Sequence, residues 1–206
     1  MKRSFAIFAL LAVFLFALTT LEAAEEMVKL DKPVKDFTLR DAMDETHSLK
    51  KLSQEKKATV VMFIATECPV SNAYNERMVK LYNDYKEKGI QFIGINSNKQ
   101  ETVKAIAAHN KDHGFEFVVL KDWQNRIADY FDAKRTPEIY VLDANLVLRY
   151  HGAIDNSQDN PEKHYLRTVL DYMLAGNEIP ADAKETKAFG CSIKRVDKER
   201  TQKSTP

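Results

Sequence analysis

The chain has 206 residues, with 31 lysines and arginines against 30 aspartates and glutamates, and two cysteines. Because acidic and basic residues are interspersed at a net charge near zero, the chain has no basic stripe for nucleic acid, and no nucleic-acid partner is expected. The length suits a single domain with a full hydrophobic core.

Residues 1–24 have the pattern of a signal peptide. Lys2 and Arg3 precede a long apolar run, and the small residues Ala23 and Ala24 follow it, as in secretory signals. We therefore expect a periplasmic or secreted protein, the alternative being anchorage by an uncleaved N-terminal helix. No later segment is apolar enough to cross a bilayer, so no membrane span is expected in the mature chain.

The first half of the remaining chain alternates strand and helix patterns. A short strand is expected at 37–40, and the near-continuous apolar run 58–65 predicts a central strand that is buried on both faces. An amphipathic helix is expected at 70–89, where Gly89 ends it. A second buried strand follows at 90–96, and then a polar helix at 100–112.

The second half continues the alternation and adds a hairpin. A short strand is expected at 115–120 and a helix at 123–131. Residues 136–143 and 147–152 read as two antiparallel strands around a turn. The last predicted helix, 164–176, ends at a glycine. This order predicts an α/β layer fold with a mixed sheet, in one domain at 25–192, followed by a polar tail at 193–206 that is expected to be disordered.

Cys68 lies at the junction of the central strand and the following helix. Unpaired N–H groups at a helix start stabilise a thiolate, so Cys68 is expected to be a competent nucleophile, although the carboxylate of Glu67 beside it opposes ionisation. Pro69 suits the first helical turn, where its missing N–H is not needed. Ser71 occupies the place of the second cysteine of a Cys-x-x-Cys motif.

With these elements placed, the chain resembles the thioredoxin-like superfamily, and within it the exported redoxins related to AhpC/TSA proteins and to thiol-disulfide oxidoreductases of the ResA and TlpA kind. This resemblance implies a thioredoxin-like fold, with a central mixed β-sheet flanked by helices. It also implies exchange with protein thiols or disulfides, without a cofactor and with an unknown electron donor. The segments that carry it are 63–71 (FIATECPVS), 90–96 (IQFIGIN), 136–143 (TPEIYVLD), 152–156 (GAIDN) and 186–193 (TKAFGCSI).

The resemblance further implies a cis peptide bond between Thr136 and Pro137, facing Cys68. A cis bond before proline costs little compared with other cis bonds and turns the chain sharply. Thr136 would then offer main-chain hydrogen bonds to an extended substrate beside the reactive sulfur. Thr136 and Pro137 are therefore the predicted substrate-binding residues.

Cys191 is the only other cysteine of the chain. Since Ser71 cannot resolve a mixed disulfide, an adduct on Cys68 needs Cys191 for its release. We expect Cys68 to attack and Cys191 to act as the resolving thiol or disulfide partner. The alternative is a non-catalytic thioredoxin-like binding module in which a permanent Cys68–Cys191 disulfide stabilises a chain in an oxidising compartment.

A peroxidase with antioxidant activity is a further alternative. Peroxiredoxins carry a threonine three residues before the reactive cysteine and a proline seven before it, and here those positions are Ala65 and Val61. Thr66 is one residue too late. Arg77 or Arg135 are the candidate cations for a peroxide pocket.

No metal site is expected. A thiolate-rich site would have to combine Cys68, Cys191 and His151, because no close pair of cysteines exists. His109 and His113 have a spacing that puts them on one helix face, but no acidic third ligand accompanies them.

Overall fold

The computed structural model describes residues 27–197. In this part of the chain, α-helices and strands alternate as expected for an α/β fold. The strands are β1 (Thr38–Asp41), β2 (Thr46–Ser48), β3 (Ala58–Phe63), β4 (Ile90–Asn96), β5 (Val118–Lys121), β6 (Arg135–Thr136), β7 (Glu138–Asp143), β8 (Leu148–Gly152) and β9 (Cys191–Ser192). The α-helices are α1 (Leu49–Leu52), α2 (Pro69–Ala73), α3 (Asn75–Tyr85), α4 (Val103–His113), α5 (Arg126–Tyr130) and α6 (Tyr165–Leu174).

Seven strands form one mixed sheet in the order β2-β1-β5-β4-β3-β7-β8. β3, β4 and β5 are parallel neighbours, whereas β7 and β8 form an antiparallel hairpin beside β3. β6 and β9 form a separate two-stranded sheet. The predicted thioredoxin-like fold, a mixed central sheet flanked by helices, is confirmed.

The central strand β3 is buried along its whole length, as its apolar run predicts. Val60 and Met62 pack in a core shared with the sheet-facing side chains of α3 and α6, whereas Val61 and Phe63 pack on the other face, against α5. Because side chains alternate along a strand, one strand supports both cores. Its C-terminal end is thereby held rigidly where Cys68 follows.

Short elements depart from the expected boundaries. The helix expected at 70–89 is split into α2 and α3 at Tyr74, and the helix expected at 123–131 is reduced to α5. The two-residue strand β9 was not expected, and of β6 only Thr136 lies in an expected strand, at 136–143. Two residues carry no hydrophobic period, so that local pattern cannot reveal such strands.

The ends of the chain bear on two predictions. The expected signal peptide, 1–24, lies outside the described residues, as do residues 198–206 of the expected tail. None of the helices in the described part of the chain has the length and apolar character of a membrane span.

The first residues of the expected tail differ from the prediction, because they pack against the domain. Ile193 is buried in the α5-side core. The backbone N–H groups of Lys194 and Val196 each donate a 2.7 Å hydrogen bond, to the side-chain oxygens of Asn98 and Asn125 respectively. These interior polar partners, which the sequence alone does not identify, order a segment whose own composition is polar.

Candidate redox-active site

The structure joins Cys68 and Cys191 by a disulfide, with sulfurs 2.32 Å apart and Cα atoms 5.9 Å apart. Cys68 occupies the N-cap position of α2, directly after the loop that leaves β3. Cys191 begins β9, close to the end of the described chain. The fold therefore closes a pair that is far apart in sequence.

The strand that carries Cys191 is paired with the loop that the sequence predicts to bind substrate. Thr136–Pro137 is a cis peptide bond, and the carbonyl oxygen of Thr136 lies 3.4 Å from Cys68 Sγ. β9 pairs antiparallel with β6, so that Thr136 lies opposite Cys191 and Arg135 lies opposite Ser192. In this state the backbone edge beside Cys68 is occupied by the chain's own terminal segment.

Residues 189–196, hereafter the terminal segment, fit this edge closely. Gly190 has φ +151°, and a Cβ there would lie 2.1 Å from the carbonyl oxygen of Thr136. This glycine is therefore needed for the close approach of the two backbones. Phe189 meets Tyr74 edge to face, with ring centroids 6.0 Å apart. The segment is packed on both sides of Cys191.

Ser71 has a structural place in the turn rather than a redox one. It is fully buried; its backbone N–H donates to Cys68 Sγ at 3.3 Å, and its hydroxyl oxygen accepts from the N–H of Ala65 at 3.2 Å. The first contact would stabilise negative charge on the Cys68 sulfur. Cys68 itself is only 3% exposed, whereas Cys191 is half-buried.

Glu138 holds the loop that precedes the cis bond. Its buried carboxylate accepts 2.7 Å hydrogen bonds from the N–H groups of Lys134 and Arg135, and it pairs with His151 Nε2 at 2.7 Å. Burial raises the pKa of Glu138, but the bond with His151 and the two backbone N–H groups outweigh burial and hold the pKa below its usual value. The indication in the sequence was a glutamate directly before the apolar run of residues 139–142 in β7.

Glu101 holds the loop that precedes Cys68. Its carboxylate is 1% exposed and accepts from the N–H and the hydroxyl of Thr66, at 2.7 and 2.8 Å, and from the side-chain amides of Asn96 and Asn98. Burial raises the pKa of Glu101, yet the hydrogen bonds, with the Thr66 N–H first among them, lower it overall. The sequence prediction placed this residue inside a helix and missed it, since α4 begins only after the cap residue Thr102.

The candidate peroxide-binding groups have other partners. The Thr66 hydroxyl donates to Glu101. Arg77 pairs with buried Asp155 at 2.5 Å, and Arg135 donates to Ser192 Oγ at 3.0 Å, on the terminal segment. Within residues 27–197, the hydrogen-bond partners of Cys68 Sγ are Thr136 and Ser71, and neither arginine is among them.

The histidines considered for a metal site have polar or aromatic partners of their own in the described part of the chain. His151 is committed to Glu138 and stacks on Tyr140. The rings of His109 and His113 lie 4.4 Å apart on α4. In residues 27–197, the side chains close enough to share a metal ion are Asp41, Glu45 and His47, which include no cysteine.

Comparison with known proteins places this geometry in a family. Peroxiredoxin Q, chloroplastic, of Triticum aestivum is 30% identical over 141 residues, which are 65% of this chain and 62% of that protein. The chain thus spans less than two thirds of that relative. Thiol-disulfide oxidoreductase ResA of Halalkalibacterium halodurans is 26% identical over 133 residues, 64% of this chain and 69% of that protein.

A solved structure is also similar to this chain. An uncharacterized conserved protein from Geobacillus kaustophilus is similar with a TM-score of 0.76 and 32% identity, over 82% of this chain and 94% of that one. The profile of the AhpC/TSA family matches residues 30–151, more than half of the sequence. The resemblance noted in the sequence is confirmed: the chain belongs to the AhpC/TSA family.

Proposed function

We propose that the protein is an exported thiol-disulfide oxidoreductase in which Cys68 is the attacking thiol and Cys191 the resolving one. The observation that carries this proposal is the Cys68–Cys191 disulfide lying against the cis-proline loop, with the Ser71 N–H directed at the Cys68 sulfur. The similarity to ResA supports it. Export is proposed from the signal-peptide pattern of residues 1–24. It agrees with a site made of two paired cysteines, since disulfides persist in oxidising compartments.

The proposed reaction transfers two electrons from the reduced pair to a protein disulfide. The Cys68 thiolate attacks one substrate sulfur, forms a mixed disulfide and displaces the other substrate sulfur as a thiolate. The Cys191 thiolate then attacks the Cys68 sulfur, releases the second substrate thiol and forms the Cys68–Cys191 disulfide. A dithiol donor restores the reduced pair by the reverse exchange.

Access to Cys68 requires movement of the terminal segment. At 3% exposure the Cys68 residue is covered, and β9 occupies the edge that an extended substrate would use. A purely structural disulfide would need no such movement. The two functions, catalyst and permanent cross-link, therefore differ in whether the reduced protein lets an external disulfide reach Cys68.

The similarity to peroxiredoxin Q favours peroxide reduction as a second candidate function. The surroundings of Cys68 oppose it, because the Thr66 hydroxyl is bound to Glu101 and Ala65 supplies no hydroxyl. Polarising an O–O bond needs hydrogen-bond donors directed at the peroxide. Disulfide exchange needs only a thiolate and room for in-line attack.

Trapping of intermediates tests the proposal. Cys191→Ser should accumulate mixed disulfides on Cys68 when the reduced protein meets a disulfide-containing protein, because release is lost, and the single variant Cys68→Ser, which keeps the thiol of Cys191, should accumulate none. Ser71→Ala is the matched control, since it removes a hydroxyl in the same turn without removing a thiol. Adducts that do not depend on Cys68 would favour the permanent cross-link, and rapid Cys68-dependent consumption of hydrogen peroxide would favour the peroxidase.

A further inference from the structure

One buried polar cluster contacts both cysteine-bearing segments. It consists of Glu101 and Asn98, which lie just after β4 and are 1% and 5% exposed. The amide nitrogen of Asn98 donates to Glu101 Oε1 at 2.6 Å, so that the two side chains form one unit. We call this pair the Asn98–Glu101 clamp.

On one side the clamp holds the loop that leads into Cys68. Glu101 accepts from the backbone N–H and the hydroxyl of Thr66, and from the N–H of Glu67 at 3.3 Å. Bonds from backbone donors to an ionised carboxylate are among the stronger hydrogen bonds in proteins. They fix the two residues immediately before Cys68.

On the other side the clamp holds the terminal segment. The side-chain oxygen of Asn98 accepts from the N–H of Lys194 at 2.7 Å, and the N–H of Lys99 donates to the carbonyl of Lys194 at 2.9 Å. The backbone carbonyl of Asn98 also accepts from the buried ammonium of Lys121 at 2.6 Å, which holds the turn in place. These bonds form three residues after Cys191 and do not involve either sulfur.

We infer that Asn98 and Glu101 are positioning residues that keep Cys191 beside Cys68 when the disulfide is reduced. A terminal segment held by hydrogen bonds has already lost the conformational freedom that ring closure would otherwise cost. Closing the disulfide from that docked state is therefore favoured. The inference extends the proposed function, because it concerns the same cysteine pair, but it does not depend on any substrate.

The clamp also sets a competition. A docked terminal segment favours Cys191 as the partner of Cys68 and keeps external disulfides away from the covered sulfur. A loosened segment weakens the internal disulfide and exposes Cys68. Weakening the clamp should therefore lower the stability of the internal disulfide and raise the reactivity of Cys68 in the reduced protein. A general loss of stability does not require these two opposite changes.

The test uses the full chain and dithiothreitol. Asn98→Ala removes the bonds to Lys194 and Glu101, and it should lower the equilibrium constant for the internal disulfide about five- to thirtyfold, the factor for one or two hydrogen bonds. Reduced Asn98→Ala should also react with iodoacetamide at Cys68 several-fold faster than the unmodified protein. Both quantities are read by alkylation and peptide mass spectrometry in buffers of fixed dithiol-to-disulfide ratio.

Thr59→Val is the matched control. It removes another buried hydrogen bond, from Thr59 to Ser53 at 2.7 Å, at the opposite end of β3 from the loop to Cys68. It should lower stability in both redox states and leave the disulfide equilibrium unchanged. If Asn98→Ala does not fold, Asn98→Leu replaces it, because leucine is similar in size and offers neither an acceptor for Lys194 nor a donor for Glu101.

The inference would be overturned if the folded Asn98 variant had an equilibrium constant for the internal disulfide within twofold of that of the unmodified protein. An equal shift of this constant in Thr59→Val would also overturn it. Failure of the proposed function has a different signature. A permanent cross-link would give no adducts with substrate proteins, yet the disulfide equilibrium of Asn98→Ala would still shift.

Discussion

Reduction of the Cys68–Cys191 disulfide should lower the free energy of unfolding by a large amount. The bond joins two residues that are 123 positions apart in sequence. In the chain-entropy model, closing a loop of that length lowers the conformational entropy of the unfolded chain, which raises the free energy of unfolding by about 5 kcal/mol at 25 °C. The bonds of Lys194 and Val196 order the terminal segment in the disulfide-bonded protein, and because they do not involve either sulfur we expect them to persist after reduction. The difference is therefore expected to arise mainly in the unfolded chain.

Guanidinium unfolding measures this difference. The oxidised protein, the same protein in excess dithiothreitol and Cys191→Ser should be compared at one pH. The reduced protein and Cys191→Ser should unfold at similar midpoints, well below the oxidised form, with a larger dependence on denaturant because the unfolded chain is less constrained. Dithiothreitol should leave Cys191→Ser unchanged, which controls for effects of the reagent.

The same difference predicts the redox behaviour through a thermodynamic cycle. A difference of about 5 kcal/mol in the free energy of unfolding means that the equilibrium constant for disulfide closure is about three to four orders of magnitude larger in the folded protein than in the unfolded chain. Oxidised and reduced forms whose unfolding free energies agree within about 1 kcal/mol would refute this reasoning. That result would show that the folded structure does not hold the two sulfurs together.

Three further outcomes are expected. Gly190→Ala should separate β9 from β6, because its Cβ would lie 2.1 Å from a backbone carbonyl; dithiol titration should show a disulfide that is reduced more readily. Thr136→Val should raise the free energy of unfolding by about 1 kcal/mol in denaturant melts, since its buried hydroxyl has no hydrogen-bond partner among the described residues. Stability should fall as pH drops below the usual glutamate value of 4.5, because the pKa values of Glu101 and Glu138 are lower in the folded state. In denaturant melts, the stability of Glu138→Gln should depend less on pH in that range. An unchanged pH dependence would count against the role of that carboxylate.

The sheet and the turn at Cys68 could be predicted from the sequence because the patterns that indicate them are local. The apolar run of β3 predicts a strand buried on both faces, and the residues around Cys68 and Thr136 carry the family resemblance. The arrangement of the site depends instead on contacts between distant segments. β9 has two residues, and its position is determined by Gly190, by its pairing with β6 and by polar partners far away in sequence.

The buried carboxylates were missed for a related reason. A glutamate is normally exposed, and its burial becomes favourable only when several donors converge on it. For Glu101 those donors come from the loop before Cys68, from the end of β4 and from the turn after it. For Glu138 they come from the segment before the cis bond and from β8. Convergence of that kind is a property of the folded chain and leaves no period in the sequence.

Under the proposed function, the covered position of Cys68 determines how an external disulfide must compete with Cys191. A thiol tethered by a short flexible segment acts at an effective concentration in the millimolar range, and docking of the segment raises that value further. A partner at micromolar concentration therefore reaches Cys68 mainly during opening of residues 189–196, whose contacts include the Asn98 and Asn125 side chains. The exchange rate is then the product of the open fraction and the intrinsic reactivity of Cys68. Changes that weaken those contacts should raise the first factor and lower the stability of the internal disulfide together, so a fast exchanger built on this site must also be a weaker cross-link.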